Sequence, residues 1–236
     1  MKIFAHRGSS GTHPENTLAA FQKAAELPVA GVELDVHLSK DGELIVIHDE
    51  KVNRTTNGKG YVKDLTLAEL KNLDAGNWKG EEWVGEKIPT LAEVLDVFAE
   101  TSHIINVELK TDIFPYEGAV GKVIELAADK HFSGRIVISS FNHLDVQQAL
   151  QVHHARAALL ASNILVDITD YAKSIGTNRL HLSLPYALRH GAQLVEKGCK
   201  VYVYTVNSLD YAKQLQAIGV HGIFTDFPEN MWEQLK

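Results

Sequence analysis

Apolar positions along the chain follow two rhythms. Short runs rich in β-branched and aromatic residues occupy residues 3–6, 31–37, 104–109, 135–141, 155–160, 179–184, 200–206 and 222–225, and helically spaced segments separate them. Strands that alternate with helices pair in parallel through right-handed crossovers. Eight of them in a chain of this length predict a (β/α)8 TIM barrel, an α/β fold, with a doubly wound sheet as the alternative. A ninth run at 43–48 follows the second strand after a turn at Asp41-Gly42. That turn is too short for a parallel crossover, so a hairpin outside the count of eight is expected.

Helix starts are also legible. Leu18, Phe21, Gln22 and Ala25 share one face after Asn16, and Thr66/Glu69 and Thr90/Glu93 have capping-box spacing. More than fifty residues lie between Asp49 and Ile104, about twice the other connections. This predicts a small lobe inserted after the second barrel strand, at about 51–90, within a single domain spanning 1–236. Gly58, Gly60 and Gly76, with Trp78 and Trp83, suggest that the lobe is compact and helical.

The 236 residues are 45% hydrophobic, enough for one large core. A net charge of -7, from 23 basic and 30 acidic residues, argues against nucleic acid as a partner. It leaves a small anionic substrate open. The lone Cys199 excludes an intrachain disulfide and a cysteine-rich zinc site. Ile3, Phe4 and Ala5 are too few for a signal-peptide core, and no later run is long enough to span a membrane. A cytoplasmic protein without membrane insertion is expected, and oligomeric state is not legible.

Catalytic groups of such barrels sit at the C-terminal ends of strands. The first ends in His6-Arg7-Gly8, the second carries Glu33 and Asp35, and the third ends in Glu108-Leu109-Lys110. Side chains alternate along a strand, so Glu33 and Asp35 share a face, as do Glu108 and Lys110. Three carboxylates at one mouth repel one another unless a proton or a divalent cation compensates them. All-oxygen ligands favour Mg2+ or Ca2+. His6 and His48 have the chemistry of a general acid and base. Among the other histidines, His37 shares the acidic face. Arg7 and Lys110 suit phosphate oxygens, and Gly8 and Gly11 would let the first loop approach an anion closely. Neither GxGxxG, a Walker-type loop nor GxSxG is present.

At these residues the sequence resembles the glycerophosphodiester phosphodiesterase family. Besides the strand ends, the matching stretches include Pro14-Glu15-Asn16-Thr17, His48-Asp49, Arg54-Thr55-Thr56-Asn57-Gly58, Gly85-Glu86-Lys87-Ile88-Pro89-Thr90-Leu91, Ser139-Ser140-Phe141-Asn142, Tyr204-Thr205-Val206-Asn207 and Thr225-Asp226-Phe227-Pro228. The resemblance runs nearly end to end. It implies hydrolysis of a small-molecule glycerophosphodiester to glycerol 3-phosphate and an alcohol, with one divalent cation, Mg2+ or Ca2+. Glu33, Asp35 and Glu108 match its metal ligands, and His6 and His48 its acid–base pair. Arg7 and Lys110 match its phosphate contacts, with Glu15, Phe141 and Tyr204 also at the substrate. Tyr204 departs from the tryptophan common there. Phospholipases C of the phosphatidylinositol type and sphingomyelinases D, which share the barrel, are the enzymatic alternative, and a silent glycerol-phosphate sensor is the non-enzymatic one.

Overall fold

A computed structural model describes all 236 residues. Its strands are β1 (Lys2–His6), β2 (Gly31–Leu38), β3 (Leu44–Val46), β4 (Ile104–Leu109), β5 (Ile136–Ser140), β6 (Ala157–Ala161), β7 (Arg179–Ser183), β8 (Lys200–Tyr204) and β9 (Gly222–Thr225). All but β3 pair in parallel in the order β1-β2-β4-β5-β6-β7-β8-β9, and β9 returns to β1. The result is the closed eight-stranded barrel rather than a doubly wound sheet. β3 pairs antiparallel with the end of β2, in the register Val36↔Val46, and forms the expected hairpin.

The helices are α1 (Leu18–Ala25), α2 (Leu67–Asn72), α3 (Leu91–Val97), α4 (Ala119–Asp129), α5 (His143–Leu150), α6 (Ile168–Ile175), α7 (Leu184–Glu196), α8 (Leu209–Ala217) and α9 (Pro228–Gln234). All except α2 surround the barrel. Alternation along the strands sorts the side chains: Val32, Leu34 and Val36 of β2 join the core shared with the helices, and Glu33, Asp35 and His37 take the opposite face. Phe4, Tyr202 and Phe224 fill the barrel's interior, with the His181 ring 5.0 Å from Phe224. This aromatic packing closes the barrel below its polar mouth.

Two local readings change. The cap of α1 is Thr17, whose hydroxyl accepts from the Ala20 amide, rather than Asn16. Asn16 takes a left-handed conformation (φ 56°) and reaches Asp35 instead. The inserted segment is mostly turns: it holds only α2 and two 3-10 turns, Val62–Asp64 and Glu81–Trp83. Its core is aliphatic, with Val52, Val62, Leu70, Ala75 and Ile88 packed on Ile45 and Ile47 of the hairpin arm. Trp78 is exposed, and Trp83 rests against His13, so the tryptophans are not its centre.

Candidate active site

The register across β1, β2 and β4 sets His6 beside Glu33 and Asp35 beside Glu108. One oxygen from each of Glu33, Asp35 and Glu108 lies within 4.8 Å of the others. Glu33 and Asp35 are only 4% and 1% exposed. Glu33 and Glu108 line a cavity of about 220 Å3 together with His6, Arg7, His48, Lys110, Phe141 and Tyr204, while Asp35 is outside its wall.

Hydrogen bonds fix these acids unequally. Glu33 Oε2 accepts the Arg7 amide at 3.0 Å, while its buried Oε1 has no partner. Asp35 Oδ2 accepts from Asn16 Nδ2 at 2.9 Å and lies 3.4 Å from Arg7 Nε, and Lys110 Nζ is 3.4 Å from Oδ1. Lys110 also donates to Glu108 Oε1 at 2.6 Å. Burial, reinforced by the charges of Asp35 and Glu108, holds Glu33 well above the usual carboxylate range. Burial also raises Glu108, against the pull of Lys110. At Asp35 burial is overcome by Lys110 and Arg7, and the group falls below its ordinary value. A site with an unpaired buried carboxylate oxygen and an acid held high calls for a proton or a cation, and its all-oxygen donor set fits a hard divalent ion.

The loop after β1 is shaped by this demand. Arg7 has φ 54°, a left-handed conformation costly for a non-glycine residue. Its amide bonds Glu33, and its carbonyl accepts the Asn16 amide at 3.0 Å. The bare faces of Gly8 and Gly11 do not approach the cavity as expected. A Cβ on Gly8 would lie 2.7 Å from the Ala20 backbone, and one on Gly11 would strike Phe227 at 2.4 Å. Both glycines serve packing.

Each of the two site histidines has a carboxylate behind it. His6 Nδ1 donates to Asp226 Oδ1 at 2.6 Å, and Asp226 also accepts from Ser10 Oγ and Asn207 Nδ2. His48 Nδ1 donates to Asp49 Oδ1 at 2.7 Å, and Arg54 clamps Asp49. A carboxylate can only accept here, so both rings carry the proton on Nδ1 and keep Nε2 for chemistry. His6 Nε2 lies 3.9 Å from Glu33. His37 shares the acidic face but works structurally: its Nε2 donates to the His48 carbonyl, and Nδ1 accepts from the Tyr116 hydroxyl.

Arg7 and Lys110 line the cavity, each already paired with acids. Glu15, expected among the substrate contacts, lies outside the cavity lining and bridges Arg7 and Arg54. Phe141 and Tyr204 stand edge to face with centroids 6.1 Å apart, and both line the cavity. The Tyr204 hydroxyl is buried without a partner. Burial, then the charge of Glu108, raises its phenol above the ordinary value.

Asp226, Asp49, Arg54, Asn16 and Asn207 fall within the stretches that carry the family resemblance, but the reading from sequence gives them no role in the site. Asp226 follows the last strand, and the strand-end rule that found the other acids, carried to the eighth barrel strand, would have found it. Burial works to raise Asp226, but the His6 bond and charge, with Asn207 and Ser10, bring it to about 2. The unfolded value is about 3.9. Its contribution to stability is therefore full above pH ~4 and lost as pH falls toward the folded value. Asp226→Asn should flatten that part of the acid-unfolding curve. It should also lower kcat roughly 100-fold with KM little changed, by releasing the His6 tautomer; unchanged kcat would mean that the bond is dispensable.

The model of the glycerophosphoryl diester phosphodiesterase family matches residues 6–230. A glycerophosphodiester phosphodiesterase of Caldanaerobacter subterraneus subsp. tengcongensis is 42% identical over 234 residues, 97% of this chain and 95% of the relative. One from Bacillus altitudinis is 41% identical, covering 97% of this chain and 95% of its own length. The structure of an Oleispira antarctica phosphodiesterase in complex with the product sn-glycerol-3-phosphate superposes with a TM-score of 0.91. It is 32% identical, with 100% of this chain and 96% of that one covered.

Proposed function

The chain belongs to the glycerophosphoryl diester phosphodiesterase family and hydrolyses glycerophosphodiesters, and from that premise we propose that the reaction runs in the cavity lined by His6, Glu33, His48 and Glu108. The observation that carries this placement is the buried, unpaired Glu33 Oε1 among three converging carboxylates, with His6 and His48 both lining the same cavity. Glu33, Asp35 and Glu108 would hold one divalent cation, Mg2+ or Ca2+. When bound, it supplies Lewis-acid stabilisation of charge on the phosphoryl oxygens.

The chain's own residues divide the remaining work. Arg7 and Lys110 place permanent positive charge beside the acids, where they grip nonbridging oxygens. Phe141 and Tyr204 pack on the glycerol carbons. Glu15 acts through Arg7 by fixing its guanidinium. His6 Nε2 removes the proton from the nucleophile, and His48 Nε2 protonates the leaving alcohol.

The nucleophile we propose is the substrate's own glycerol 2-hydroxyl. Its oxygen bonds to phosphorus as the bond to the leaving alcohol breaks, and water then opens the cyclic ester to glycerol 3-phosphate. An internal hydroxyl is already tethered near phosphorus, so little entropy remains to be lost in bringing it into line. A 2-deoxy glycerophosphodiester should therefore bind as a competitive inhibitor without turnover. Comparable kcat for the deoxy and natural substrates would establish direct attack by water instead.

A further inference from the structure

A second cavity adjoins the reaction cavity at Phe141. Phe141 lines both, and the second, of about 500 Å3, lies between the β5–α5 junction and α6. The first, of about 220 Å3, is the one assigned above to the reaction, and the second shares the Phe141 wall with it. No Asp, Glu, Lys or Arg lines it.

Its polar groups can be counted by their unused bonds. His143 Nε2 donates to the Leu160 carbonyl at 2.9 Å, so Nδ1 accepts from the Tyr171 hydroxyl at 3.0 Å, which leaves that oxygen free to accept. Asn142 Oδ1 caps α5 by accepting the Leu144 amide, and its amide hydrogens stay free to donate. Ser174 Oγ donates to the Tyr171 carbonyl and can still accept. Gln147 lines the cavity with an amide that offers both donors and an acceptor. Leu144, 73% exposed, gives the rim an apolar surface.

Interleaved neutral donors and acceptors beside apolar carbon match a molecule with many hydroxyls and no charge. An ammonium headgroup would find no carboxylate. Nor do the aromatic rings surround a common point: Phe141 is edge to face with Tyr204, and His143 and Tyr171 lean together at 5.5 Å. Resting on the function proposed above, we infer that the leaving alcohol is seated here, and that the preferred alcohol is a neutral ring polyol of the cyclitol or sugar class.

The test compares kcat/KM for glycerophosphoinositol, glycerophosphocholine and glycerophosphoethanolamine, read as release of glycerol 3-phosphate. The inositol diester should lead by at least ~10-fold, the effect of one or two well-placed hydrogen bonds. Gln147→Ala should raise KM for the inositol diester about 5- to 10-fold at unchanged kcat, and leave the choline diester unaffected. Leu144→Glu, which sets a carboxylate at the rim, should move preference toward choline. Equal or better turnover of the choline diester by the unaltered enzyme, or a Gln147→Ala effect equal on both, would overturn this assignment and leave glycerophosphodiester hydrolysis standing. Failure to release glycerol 3-phosphate from any of the three would remove both.

Discussion

Chelation of divalent cations should abolish turnover, and Glu33→Gln should lower it on the order of 10^3-fold, because the phosphoryl charge then loses several kcal/mol of stabilisation. The structure sets the sign of a second effect. Burial and the neighbouring carboxylates raise Glu33 well above its ordinary pKa, which favours its protonated form when no cation is bound. A cation competes with that proton for Glu33, and the apparent affinity should strengthen as pH rises. Calorimetry in buffers of different ionisation enthalpy would detect the released proton. In Glu33→Gln the release should vanish while the unfolding transition stays cooperative. Full activity in the chelated enzyme would rule out the cation's role.

Replacing His6 or His48 by Ala should each cost at least ~100-fold in kcat, the ordinary contribution of a positioned acid or base. The two losses should respond differently to the leaving group. A nitrophenolate leaves without a proton, so it should rescue the variant that lacks the acid and not the one that lacks the base. With His48 as acid, His48→Ala recovers on the activated diester and His6→Ala does not. The reverse pattern would exchange the roles, and wild-type rates in both variants would remove the pair from the mechanism.

The sequence shows some of these groups more plainly than others. Glu33, Asp35, Glu108 and Lys110 are legible because a strand alternates its faces, and a barrel gathers the ends of its strands at one mouth. Two residues of spacing become one shared direction. The partners that orient those groups are not encoded so locally. Asp226 meets His6 across a separation of 220 residues, and only closure of β9 onto β1 brings them together. Arg54 joins Asp49 to Glu15 from within a turn-rich segment that has no periodicity to read. The helical expectation for that segment fails for the same reason: its aliphatic core is assembled from scattered single residues, while its tryptophans lie toward the surface. Gly8 and Gly11 show a further limit. A glycine announces close approach, but not what approaches.

His48 is the one member of the histidine pair that no barrel strand carries. It follows β3, whose Ile45 is buried in the same small core as Ile47, Val52 and Leu70. The Val46 amide bonds the Pro89 carbonyl, and His37 holds the His48 carbonyl. Leu44 and Val46 of β3 join the barrel's core of 45 buried residues, whereas Ile45 and Ile47, which lead to the proposed acid His48, belong to a cluster of only seven. Segments with few buried contacts open at lower free energy than the whole molecule. On warming, the enzyme should therefore fall silent while its barrel is still intact and regain activity on cooling, so that its working temperature is set by the arm rather than by the scaffold.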